Sequence, residues 1–401
     1  MPIPSVHQPV GGRCRWEAPP PHRLVRRSGG AASGHRRGIP AGDGADRECR
    51  YPPSLPGLGV ELGHAASLAS PAEAITSWVA GRNGSPPGVR VVAFHGCRNG
   101  AQWRVGYRPI RCESGAVTKN ARDRWPDARA AVHHATQRFT ALIRSCPAPT
   151  RAMATRAWTV SDTTAHVLSI ASLYVSLVDA QADPPPVPGL DAALARTTVD
   201  TVSSLNVLVL RHLTERDAEV LCRDLSDAVD HLLRATAHAD PGRVVRWLGG
   251  ASVTIAGLLA HLTNELLIHG WDIARATGRP WPMPEADAAL FFDLFFLDMV
   301  RHDHGVLIDT GVRQPARHIA VAFQSAYTAP TTTVLADGRL TVAPPGTAAD
   351  VRITYRPARF NLMLFGRIGM LSAALRRDVV IGGPRPWLLP GFLRVVHMPN
   401  A

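Results

Sequence analysis

Three potential metal ligands share one stripe of an apolar segment: His261-Leu-Thr-Asn-Glu265-Leu-Leu-Ile-His269-Gly-Trp-Asp272-Ile-Ala-Arg275. Imidazole nitrogens and carboxylate oxygens are the donors that divalent zinc takes in open, reactive sites. An α-helix turns about 100° and rises about 1.5 Å per residue, so residues four apart stack one turn above another, about 40° out of line. Glu265 and His269 can therefore converge on one ion, and so can His261 and Glu265. His261 and His269 stand about 12 Å apart along the axis, too far for one small ion to take all three. The stripe supplies two ligands per metal at most. A catalytic zinc site wants three and an open position, so the third ligand must come from another element.

Such a site needs helices brought face to face. From Arg122 onward the chain carries apolar residues at helical spacing. Trp125 to Arg144 spaces Ala128, Val132, Ala135, Phe139, Leu142 and Ile143 along one side and stops before Pro147 and Pro149. Ser161 or Asp162 is placed to cap a second helix over 163–178. Prolines 184–186 mark a loop, and helical regions over 190–214 and 215–237 follow. The helix with the stripe, over 254–277, is closed by Gly278 and Pro280. This is a helical bundle, and bundles hold metal sites between facing helices. Beyond Pro280 the pattern changes. An aromatic helix over 286–300 leads to strand-like runs at 318–323, 331–336, 339–342 and 351–354, with Asp337-Gly338 as a hairpin turn. A helix over 357–375, a strand over 379–381 and a last helix over 388–396 complete an α+β segment.

The net charge of +12 is unevenly spread: residues 1–120 hold 16 basic and 7 acidic residues. Almost all the basic charge is arginine, and Lys119 is the only lysine. That stretch is rich in Arg, Pro and Gly and has no sustained apolar period, so it is expected to be a largely disordered basic extension. A short helix over 68–79 and a strand over 89–94 are its best candidates for order. Its arginines are not interleaved with aromatics, so the arm is not expected to bind nucleic acid. The first thirty residues lack the apolar centre of a secretory signal, and no apolar run reaches membrane-spanning length. Cysteines 14, 49, 97, 112, 146 and 222 show neither a CxxC pair nor ligand spacing. These features point to a reduced, cytoplasmic protein that needs no membrane.

Six bundle histidines, 133, 134, 166, 212, 231 and 238, could complete the site. His166 is the best placed, early on a helix with apolar neighbours on both sides. His133 and His134 are adjacent, so at most one faces inward. His212 and His231 follow charged residues, and His238 falls in a polar loop. His302 and His304, in Arg301-His-Asp-His-Gly305, read as a solvated helix end. A single histidine on an apolar helix face is ordinarily a packed core residue. Glu265 alters that balance, because a buried carboxylate costs several kcal/mol unless paired, and a metal supplies the pairing.

Trp158…Asp162-Thr-Thr-Ala-His166 together with Glu265-Leu-Leu-Ile-His269-Gly-Trp-Asp272-Ile-Ala-Arg-Ala resembles the mycothiol-dependent maleylpyruvate isomerase family over roughly residues 122–282. The resemblance implies a DinB-like four-helix bundle with His166, Glu265 and His269 as metal ligands, and zinc or another divalent metal as the ion. Ala348-Ala-Asp350-Val-Arg-Ile, Leu364-Phe-Gly366-Arg367 and Ile381-Gly382-Gly383-Pro384 more loosely resemble the sterol-carrier-like domain often fused to that bundle. The fold class implied is α+β multidomain: an extension over 1–120, the metal-binding bundle over 121–282 and a small α/β sterol-carrier-like domain over 283–401.

In the resembled isomerase the thiol mycothiol adds to a cis double bond, the carbon–carbon bond rotates, and elimination returns the trans alkene. Relatives transfer the thiol to an electrophile instead. The resemblance thus implies an enzyme with mycothiol as thiol cofactor and a small-molecule substrate. An anionic substrate calls for a cation, and Arg367 and Arg275 are the candidates, either of which can instead be a structural ion-pair member. His261 is expected as a packing group or behind the ligands, and Asp272 as a helix-surface residue or a hydrogen-bond acceptor that orients a ligand. A competing reading makes the second domain a carrier of an apolar ligand, with the bundle as scaffold only.

Overall fold

The computed structural model describes residues 122–309 and 318–399. The expectations for 1–120, including the helix over 68–79 and the strand over 89–94, lie outside the described residues.

Four helices form the bundle: α1 (Trp125–Arg144), α2 (Val160–Val178), α5 (Ala218–Ala235) and α6 (Ile255–Thr277). Both α1 and α2 pack against α5 and α6, which closes the ring of four. The start of α2 differs from expectation. Its cap is Thr159, whose hydroxyl accepts from the Asp162 amide at 3.1 Å while the Asp162 carboxylate accepts from the Thr159 amide at 3.0 Å. This reciprocal box satisfies two amides that would otherwise lack partners. Ser161 instead donates to the Arg216 carbonyl at 2.9 Å. The helical region expected over 190–214 is two helices, α3 (Leu190–Arg196) and α4 (Val202–His212). Threonines break it: Thr197 is extended, and the Thr201 hydroxyl accepts from the Thr198 amide at 2.8 Å, an alternative to helical bonding.

A short antiparallel ribbon, β1 (Val244–Arg246) with β2 (Ser252–Thr254), leads into α6. Thr254 caps α6, and Gly278, with φ +66°, ends it. Nearly every side chain of α6 is buried, because the helix is covered on both sides. The bundle lies on one side. On the other lies a long helix made of α7 (Glu285–Leu290), a π-helical turn (Phe291–Phe296) and α8 (Leu297–His302). A regular helix was expected over 286–300. The π turn sets two aromatic stripes side by side. Phe291 and Phe295 face the bundle, and Phe292 reaches Phe323 and Tyr355 of the sheet, with ring centroids 4.8 and 5.7 Å away.

The sheet has five strands in the order β5-β4-β3-β6-β7, formed by β3 (Ile319–Gln324), β4 (Thr331–Ala336), β5 (Arg339–Val342), β6 (Val351–Tyr355) and β7 (Val379–Gly382). All pairs are antiparallel except β3 with β6. Asp337 and Gly338, both at positive φ, make the β4–β5 turn, as their dipeptide predicts. Ile319, Val321, Phe323, Leu335, Val351, Ile353 and Tyr355 alternate onto the buried face. The helix expected over 357–375 is interrupted. Helix α9 (Pro357–Leu364) and helix α10 (Met370–Leu375) are separated by Gly366 at φ +71°. Arg367 is therefore not in the middle of a helix but in the turn that ends one, its amide donating to the Leu362 carbonyl at 2.8 Å. The chain closes with β7 and a short helix α11 (Leu389–Leu393).

Candidate metal centre

Helix α2 contributes His166 and α6 contributes Glu265 and His269. One donor atom from each of the three lies within 4.8 Å of the others. The Glu265 Oε2 atom is the hub: His269 Nε2 is 3.3 Å away and His166 Nε2 3.6 Å. A tetrahedral ion with bonds of about 2.0–2.1 Å sets its ligands about 3.3–3.4 Å apart. The donor set, two imidazoles and a carboxylate, and these spacings fit a divalent metal. All three side chains are almost enclosed. The rings of His166 and His269 meet edge to face at 5.2 Å, and the Trp158 ring lies over both, at 4.8 and 6.1 Å.

The electrostatics are those of a charge held by its neighbours. Burial opposes ionisation of Glu265, but the imidazoles of His166, His269 and His261 around it outweigh burial and hold the carboxyl well below its ordinary range. Burial pushes His166 and His261 down, toward the neutral ring that can bind a metal. Burial acts the same way on His269, but Asp272 and Glu265 overcome it and its pKa is raised.

The partner of His269 explains its orientation. Asp272 Oδ2 lies 3.2 Å from His269 Nδ1 and can only accept, so Nδ1 carries a proton and Nε2 is the nitrogen left to bind a metal. Asp272 is itself held by Arg367 from the sheet-containing half. Nη2 donates to Oδ2 at 2.8 Å, Nε lies 3.2 and 3.3 Å from the two oxygens, and Nη1 donates to the Phe365 carbonyl at 2.7 Å. Burial would raise the Asp272 carboxyl, but hydrogen bonds from His269 and Arg367 lower it. The break at Gly366 makes this possible, since it releases Arg367 from the helix and turns it toward α6.

His261 lies one turn before Glu265, with its Nε2 3.5 Å from Glu265 Oε1. Its Nδ1 is 2.9 Å from the Tyr174 hydroxyl, which accepts from Trp247 Nε1 at 3.1 Å. Arg275 is exposed and lies over the Trp271 ring at 5.2 Å; no contact joins it to the cluster among the described residues. His133, His134, His212, His231, His238, His302 and His304 fall outside the three-residue group, and His231 instead meets Asp179 at 2.7 Å. Sequence reasoning passed over Tyr174 and Trp247. The available signal was spacing. Tyr174 follows His166 by two turns on α2, just as His261 precedes His269 by two turns on α6. A surface cleft of about 530 Å³, lined by Leu168, Ser172, Pro185 and Leu213 among others, includes none of the three clustered residues.

Residues 130–274 match the domain family described as "Mycothiol maleylpyruvate isomerase N-terminal domain". The helical domain belongs to that family. All three clustered residues of this isomerase-family domain fall inside the matched span. Two solved structures are similar to the chain. Both are crystal structures of the mycothiol-dependent maleylpyruvate isomerase, one of them a mutant, at 13% and 12% identity and a TM-score of 0.38. Each comparison covers 64% of this chain and 92% of the other. No curated protein matches the chain. No described helix is long and apolar enough to cross a membrane.

Proposed function

We propose that the protein is a metal-dependent enzyme that uses a low-molecular-weight thiol, mycothiol, against an unsaturated or electrophilic small molecule, as in maleylpyruvate cis–trans isomerisation. The observation that carries this reading is the convergence of His166, Glu265 and His269 within a domain of the isomerase family. Zinc, or another divalent ion, held there would supply a Lewis acid with an open position that lowers the pKa of an incoming thiol.

The chain's own residues do the rest. Two neutral imidazoles and one carboxylate leave one positive charge on a divalent ion, which suits a thiolate. Asp272 holds the Nδ1 proton of His269 and so keeps Nε2 available. The enclosure of the cluster by Trp158 limits water at the donors. Of the two arginines considered for an anionic substrate, Arg367 is taken up by Asp272 and the Phe365 carbonyl, as a structural ion-pair member would be, and Arg275 is exposed and apart from the cluster. Thiol addition to a double bond followed by elimination returns the thiol, while transfer to an electrophile consumes it. The reading assigns the protein to the cytoplasm, where small thiols stay reduced, and takes the sheet-containing half as the sterol-carrier-like partner of the bundle.

Metal quantification with thiol titration on the wild type and Glu265→Ala tests the reading. About one metal per chain is expected in protein purified without chelator, with loss in the variant and a thiol that ionises at lower pH only in the loaded wild type. Protein that carries no metal, and a His269→Ala variant indistinguishable from wild type, would defeat it. Whether mycothiol is regenerated or consumed then separates isomerase from transferase.

A further inference from the structure

We propose that His261 is a positioning residue, fixed by Trp247 and Tyr174 as the Nε2–H tautomer, which holds Glu265 so that only Oε2 faces the metal ligands. This rests on the metal reading and adds to it how the carboxylate is oriented. The argument is one of direction. An indole nitrogen can only donate, so at 3.1 Å the Tyr174 oxygen accepts from Trp247. Among the described residues the only other hydrogen-bond partner of that oxygen is His261 Nδ1, at 2.9 Å. The phenol proton therefore goes to Nδ1, which accepts. A neutral imidazole has one N–H, and it must then be on Nε2, which faces Glu265 Oε1 at 3.5 Å. The opposite tautomer would strand the phenol proton and set a nitrogen lone pair against a carboxylate oxygen.

The two oxygens of Glu265 thus have different tasks. Oε1 faces a donor from behind, and Oε2 faces His166 and His269. His261 has little freedom to turn away. The rings of Trp247 and Phe295 lie 5.1 and 4.6 Å from its own, and Phe291 lies 6.4 Å away. Partners behind a ligand of this kind change metal affinity by about 10–100-fold when removed.

Two measurements on the full chain test the proposal. In metal-free protein labelled with 15N-histidine, the His261 signal, assigned by its loss in His261→Gln, is expected to show a protonated Nε2 and a bare Nδ1. Zinc affinity, read by competition with a chromophoric chelator, is expected to fall about tenfold or more in Tyr174→Phe and in His261→Phe. His261→Gln should return it to within about threefold of wild type, because the amide can accept from Tyr174 and donate to Oε1. A protonated Nδ1, unchanged affinity in Tyr174→Phe, or a glutamine variant no better than phenylalanine overturns the proposal. Tyr174→Phe removes one oxygen only, so its result stands even if His261→Phe does not fold. A wild type that binds no zinc at all defeats the metal reading first, and is distinguishable because it precedes any comparison of variants.

Discussion

The pair Arg367–Asp272 crosses from the sheet-containing half to the bundle, and its removal should be costly. Both side chains are nearly enclosed, at 9% and 5% exposure, and Nη2 lies 2.8 Å from Oδ2. In Arg367→Met the Asp272 carboxylate keeps His269 as its partner but loses its compensating charge. Removing one member of a buried pair costs about 3–5 kcal/mol, mostly as the penalty of the charge left behind. Asp272→Asn removes that charge while its amide oxygen still accepts from His269 Nδ1. The double variant should therefore be less damaged than the sum of the two single variants, with a coupling of about 2–3 kcal/mol. The assay is urea unfolding in the presence of a chelator, so that metal binding does not contribute. Fluorescence and circular dichroism are followed together, so that coincident transitions establish two-state unfolding. A coupling below about 0.5 kcal/mol, the value of an exposed ion pair, would refute the reasoning and make Arg367 a passive neighbour of the site.

Three further outcomes are expected. Gly270→Ala would put a Cβ into the Trp281 ring, whose Nε1 donates to the Leu267 carbonyl at 2.9 Å; thermal melting should fall by the equivalent of about 1–3 kcal/mol, and a rise, as helix propensity alone predicts, would count against this packing. Burial, only partly offset by Arg124, raises Asp293 to about 6. The folded state therefore keeps a proton there that the unfolded chain has lost, and the stability it gives is present below about pH 4 and lost as pH rises through 6. Asp293→Asn should cancel that loss, so the stability of the variant relative to wild type should climb from pH 4 to pH 7, by on the order of 3 kcal/mol at about 1.4 per pKa unit; a flat difference would contradict it. Cys146 and Cys222 are buried, and burial pushes the Cys222 thiol up to about 11. Alkylation at pH 8 mapped by mass spectrometry should spare both until the protein unfolds, and ready labelling of Cys222 in the folded state would speak against it.

The parts legible in the sequence were those fixed by local rules. The end of α1 follows from Pro147 and Pro149, and the β4–β5 hairpin from Asp337-Gly338. The stripe on α6 was legible because helical geometry alone limits which of His261, Glu265 and His269 can share an ion. Other features depended on partners far along the chain. Ser161 loses the cap of α2 to Thr159 because Arg216, from the loop before α5, offers its hydroxyl a carbonyl. Arg367 read as a mid-helix residue because Gly366 can continue a helix as well as end one, and only the left-handed backbone there shows which. Tyr174 and Trp247 drew no reading because an apolar helix and a short loop do not say what stands opposite. Their polar tips acquire meaning only when α2 and α6 are placed side by side.

The π-helical turn at Phe291–Phe296 has an evolutionary consequence. Such turns arise most simply as one extra residue inside an α-helix. Loss of that residue would return the segment to α-helical winding with α7 and α8 still on their present faces. Only the aromatic stripes between them would shift, and those stripes meet the His261 ring on one side and the sheet on the other. A change of one residue in length, with no substitution at His166, Glu265 or His269, would thus shift the packing against the bundle and against the sheet at once.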